Sequence, residues 1–139
     1  MTSEERKENA VEYHGKGYNC CQSVLCSCKD LTGMEEAQSA SMGYGFAGGM
    51  YCGEVCGAVT GGLMAIGACI SGETPQEKRP VALAAAQEFQ KRFKGQFDTI
   101  LCREILAANG KRICDSCIAF GTETAAAVIE KLKEGEYQK

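Results

Sequence analysis

The sequence predicts an all-α protein, a single-domain bundle of about five to seven helices around a glycine-bearing central helix. Three observations carry that expectation. Strand signals are nearly absent, because β-branched residues are scattered and no stretch alternates apolar and polar residues. Capping residues recur ahead of segments whose apolar residues are spaced three or four apart. One stretch, Val55 to Gly72, carries no charge and five glycines, the pattern of a helix enclosed on all sides. A chain of 139 residues can bury its own core, and no repeat or low-complexity tract divides it, so the domain is expected to span 1–139.

The elements follow in order. Thr2 and Glu5 have capping-box spacing before a helix that should run to about Tyr13 and end at Gly15 and Gly17. Asn19, with Gln22 three residues on, opens a second helix in which Cys20, Val24 and Cys28 share a face. Asp30 to Gly33 reads as a turn, and Glu35 to Met42 as helix until the glycines at 43, 45, 48 and 49 interrupt it. The central helix should occupy about Gly53 to Ile70 and be the most buried element. Thr74 and Pro75 start another helix, which Pro80 should restart or kink. Its apolar stripe is Ala82, Ala85, Ala86, Phe89 and Phe93. A short helix over about Thr99 to Ala108 ends near Gly110. The last runs from about Asp115 to Lys133, with Ile118, Ala125, Ile129 and Leu132 inward.

Composition narrows the function. Fifteen Lys and Arg against eighteen Asp and Glu give a net charge of -3, which argues against a nucleic-acid partner. The uncharged stretch reaches the borderline length of a membrane span, but five glycines, one Leu and two Ile suit a buried helix better than lipid. The charged segment Met1 to Asn9 is not a secretory signal, so a cytoplasmic location is expected. No Ser–His–Asp set, phosphate loop or Walker motif supports a hydrolase or nucleotide-binding reading. His14, near Glu12, reads as a surface histidine. Glu54 reads either as a proton acceptor for Cys56 or as an acid favoured at a helix start.

Ten cysteines dominate the chemistry: Cys20, Cys21, Cys26, Cys28, Cys52, Cys56, Cys69, Cys102, Cys114 and Cys117. In a cytosolic protein such residues are more often metal-binding or catalytic than disulfide staples. Zinc-ribbon and ferredoxin patterns are incomplete, since the one CxxC is Cys114 to Cys117. Placement is more informative. Cys20, Cys56, Cys102 and Cys114 fall at or near four separate helix starts, where free N–H groups favour the thiolate that attacks disulfides and binds metals. Cys21, Cys26, Cys28 and Cys69 lie inside helices and read as small core residues. Gly57 and Gly61, four apart beside Cys56, leave a stripe without side chains on which either another helix or a cofactor could pack.

The stretch Cys56-Gly57-Ala58-Val59-Thr60-Gly61 resembles the CGAxxG signature of the C_GCAxxG_C_C family of redox-active proteins. Gly17 to Val24 is similar to that family's first cysteine block, and Gly45 to Met50 to its glycine loop. Cys102-Arg103-Glu104-Ile105-Leu106 is similar to the third block, and Cys114 stands at the fourth cysteine. The resemblance covers about residues 8 to 132. It implies a small helical redox protein, often encoded near transporters. A related domain in a split-Soret type cytochrome carries an iron–sulfur centre, which makes such a cluster a candidate cofactor here. Cys21, Cys26, Cys28, Cys52, Cys69 and Cys117 depart from the pattern, and Cys52 and Cys117 stand near signature cysteines as extra ligands or resolving thiols.

Three functions are therefore in contention. In the first, Cys20, Cys56, Cys102 and Cys114 converge, beside Gly57 and Gly61, on an iron–sulfur cluster or other metal for electron transfer or sensing. In the second, Cys56 or Cys114 attacks as a thiolate without metal, and Cys52 or Cys117 resolves. In the third, the helical module is structural and partners a membrane transporter. The redox partner is unspecified, and whether the protein is an oxidoreductase or an electron carrier stays open.

Overall fold

Three of the expected helix starts are capped by the residues that the sequence offers. Thr2 accepts the Glu5 N–H at 3.1 Å and opens α1 (Ser3–Gly15). Asn19 and Gln22 form a reciprocal capping box over α2 (Cys20–Ser27), each bond 2.9 Å long. The expected turn at Asp30 is a single helical turn, α3 (Lys29–Thr32), stopped by left-handed Gly33, and α4 (Glu36–Gly43) follows. The computed structural model describes residues 1–138, with eight α-helices and no strand among them.

The central helix α5 (Gly57–Ala68) is shorter than the expected Gly53 to Ile70. Gly48, Gly49, Met50 and Tyr51 all take left-handed φ, between 54° and 65°, so the chain turns the wrong way for an α-helix just before Cys52. Thr74 caps α6 (Pro75–Phe97), which runs through Pro80 without the expected restart. Pro80 lies on an exposed face only five residues beyond Pro75, so the break is confined to the first turns. Then come α7 (Cys102–Asn109), starting three residues later than the expected Thr99, and α8 (Ile113–Lys133), starting two residues earlier than expected.

The most enclosed element is α2 rather than α5. Seven of its eight residues are buried, against seven of twelve in α5. The reason is geometric: α2 is packed by α1, α4, α5 and α8 together. Glycine makes that packing close. A Cβ on Gly57 would lie 2.8 Å from the Cys21 nitrogen, and one on Gly61 would lie 2.6 Å from the Cys21 carbonyl oxygen. The opposite side of α5 receives Phe89, whose ring occupies the space of a Gly62 side chain. Phe93, Phe97 and Phe120 extend that aromatic layer, with centroids 4.8–6.1 Å apart. No helix among the described residues is long and apolar enough to cross a membrane.

Candidate functional site

Four helix starts meet at one end of the bundle. Cys20 is the first residue of α2, Cys56 caps α5, Cys102 is the first residue of α7, and Cys114 is the second of α8. All four line a single cavity of about 220 Å³, and Cys117, one turn further along α8, lines it too. Gly48, Gly49 and Gly57 form its glycine side, Ile105, Leu106 and Ile113 its apolar wall, and His14 and Lys111 complete the lining.

The local chain geometry explains the convergence. The Cys56 N–H donates to the Ile100 carbonyl and the Cys102 N–H to the Glu54 carbonyl, both at 2.7 Å, around an antiparallel bridge between Val55 and Leu101. Those two bonds set Cys56 and Cys102 side by side. Gly49 permits the approach: a Cβ there would lie 2.6 Å from the Glu54 oxygen and 2.8 Å from the Cys102 Cβ. Gly57 lets α2 come close enough to bring Cys20 alongside, its Cβ position being 2.9 Å from that of Cys20.

The thiols form two interacting pairs. The neighbouring Cys20 thiol pulls Cys114 down to about 6 against the opposing effect of burial. The nearby His14 and Lys111 side chains add smaller lowering effects, and Cys20 is pushed far up by Cys114 and by burial. Cys56 is likewise lowered, first by Cys117 and then by the Ala58 and Val59 N–H groups at the start of α5, while Cys117 is raised in return. Burial raises Cys102. One thiolate-favouring and one proton-holding sulfur thus stand in each pair. All ten cysteines are free thiols. Among the described residues no group of three or more His, Cys, Asp or Glu is placed to hold a metal ion.

A family profile described as "Putative redox-active protein (C_GCAxxG_C_C)" matches residues 18–131, most of the chain. The chain belongs to that family. Neither a curated protein nor a solved structure matches it.

Within this C_GCAxxG_C_C protein, two residues assigned by spacing lie off the cavity. Cys52 is exposed on the left-handed turn, its Sγ 3.5 Å from the Gly49 carbonyl, because that turn swings it outward. Gly61 faces Cys21 and Val24, so at that position the stripe serves helix packing. Cys21, Cys26 and Cys28 are buried and Cys69 partly so, outside the cavity. The sulfur of Cys21 meets that of Met64 at 4.0 Å, and Cys26 and Cys69 donate to backbone carbonyls. Glu54 pairs with Arg103 at 3.0 Å instead of facing Cys56. Sequence reasoning missed two features: the Val55–Leu101 bridge, too short to show periodicity, and His14, whose place depends on α1 ending against the start of α8.

Proposed function

We propose that the cavity is a redox centre in which Cys20, Cys56, Cys102 and Cys114 hold an iron–sulfur cluster, with Cys117 bordering it. The protein would then carry or sense electrons rather than transform a substrate. The observation that carries this reading is the gathering of five thiols, up to 97 residues apart in sequence (Cys20 to Cys117), around one cavity. The donor chemistry suits such a group: soft sulfur donors, an apolar wall and room for more than a single ion. The cluster, when bound, supplies one-electron chemistry. The chain stabilises the ligand charge through the Ala58 and Val59 N–H groups, keeps Cys114 ready as a thiolate, and shields the sulfurs behind Ile105 and Ile113.

The thiol pairs favour a second reading, metal-free dithiol–disulfide exchange. The Cys114 thiolate would attack a partner disulfide, and Cys20 would then displace the mixed disulfide. The chain would become a Cys20–Cys114 disulfide, and the partner would leave as a dithiol carrying the two electrons and the protons.

Anaerobic purification separates the two. The cluster reading expects a brown protein with sulfur-to-iron charge-transfer bands, iron and acid-labile sulfide in comparable amounts, and loss of colour in Cys56→Ser. Colourless protein that takes up no iron with sulfide, and loses two or four titratable thiols on mild oxidation, would transfer the assignment to dithiol exchange.

A further inference from the structure

We propose that His14, oriented by Asp115, is a nitrogen ligand in the lining of the cysteine cavity, so that the centre has a mixed sulfur and nitrogen donor set. The inference rests on the metal-centre reading above and adds a donor outside the cysteine pattern. His14 stands in the last turn of α1 and Asp115 in the first turn of α8, 101 residues apart, and the Nδ1 to Oδ1 distance is 2.8 Å. Asp115 fixes the proton on Nδ1. Among the described residues the Nε2 lone pair is then left without a hydrogen-bond partner, on a side chain that lines the cavity together with Cys20 and Cys114.

A carboxylate holding the far nitrogen of an imidazole is the usual support of a metal-bound histidine, because it sets the tautomer and aims the ring. Stability alone explains the pair poorly. The His14 side chain is 33% exposed and that of Asp115 57%, and pairs so accessible contribute little to folding. Chemistry explains it better. Every thiolate donor adds a negative charge to a cavity whose walls are largely apolar, whereas a neutral imidazole donates without adding one. Replacing thiolate by imidazole also raises the potential of an iron–sulfur centre.

The test exploits His14 being the only histidine of the chain. The full chain, labelled with ¹⁵N-histidine, is loaded anaerobically either with iron and sulfide, then reduced with dithionite, or with Co²⁺ alone, which is paramagnetic without reduction. Pulsed electron paramagnetic resonance should detect one strongly coupled nitrogen that changes with the isotope and disappears in His14→Gln. Asp115→Ala should weaken Co²⁺ binding by about 10–100-fold, the usual effect of removing an orienting partner. A centre that forms without histidine coupling in the unmutated protein overturns this inference alone. Protein that takes up neither iron with sulfide nor Co²⁺ overturns the inference together with the reading beneath it.

Discussion

Two glycines of the same helix should respond in opposite ways to the same substitution. At Gly61 a methyl group would lie 2.6 Å from the Cys21 carbonyl oxygen and 3.2 Å from the Val24 Cβ. The first neighbour is backbone and cannot rotate away, so α5 must move off α2 by several tenths of an ångström. Overpacking of this kind costs about 1–3 kcal/mol. At Gly67, on the exposed side near the end of α5, nothing lies within 4 Å. Both substitutions by alanine gain helix propensity, up to about 1 kcal/mol, and that gain cancels when the two variants are compared. With an unfolding entropy of about 2.1 cal/mol/K per residue over 139 residues, about 1–3 kcal/mol becomes about 3–10 °C. Gly67→Ala should therefore melt about 3–10 °C above Gly61→Ala in thermal denaturation followed by circular dichroism. Melting temperatures within about 1 °C of each other would refute the close approach of α2 and α5, and with it the placement of Cys20 beside Cys56.

Three further outcomes are expected. In metal-free reduced protein, alkylation of Cys114 followed by mass spectrometry should reach half its maximal rate near pH 6, because the Cys20 proton stabilises its thiolate, and should require alkaline pH in Cys20→Ala; a midpoint near the ordinary value of 9.0 in the unmutated chain would contradict the pairing. Cys52→Ser should leave iron and sulfide uptake unchanged, since Cys52 lies outside the cavity, and a loss comparable to that of Cys56→Ser would show otherwise. Gly49→Ala should destabilise the fold by about 1–3 kcal/mol in denaturant titration and speed alkylation of Cys102, because φ is 65° and the added methyl group meets Glu54 and Cys102.

The helices were readable because their caps are local. Thr2, Asn19 and Thr74 act within three residues of themselves, and each occupies the cap that its spacing suggests. The Asn19 cap fixes the start of α2 and with it Cys20, whereas α5, α7 and α8 carry no side-chain cap and begin two to four residues from the expected starts, so Cys56, Cys102 and Cys114 are placed by contacts remote in sequence. Features set by distant parts of the chain were not readable. Met50 and Tyr51 have no sequence preference for left-handed backbone, so the shortening of α5 left no mark. The exclusion of Cys52 follows from that turn. His14 looked like a surface residue because its partner is 101 positions away. The Gly57–Gly61 stripe was visible, but which surface would approach it depended on α2 packing there.

The thin attachment of α7 gives the cavity a door. Ile105 is its only buried residue, and left-handed Asp98 and Gly110 lie on either side of the segment. Its hold on the bundle is the burial of Ile105, about 1.5–3 kcal/mol, the two backbone bonds around the Val55–Leu101 bridge, about 1 kcal/mol each, and the accessible Arg103–Glu54 pair, at most about 1 kcal/mol. Swinging α7 out therefore costs about 3.5–6 kcal/mol, near the low end of the range for unfolding a whole domain. At that cost the fraction of folded molecules expected to have Cys102 turned outward is between roughly one in a few hundred and one in a few tens of thousands, while the other cavity thiols stay on α2, α5 and α8. On the proposed cluster reading, a finished bundle would in this way admit or release its cluster without coming apart.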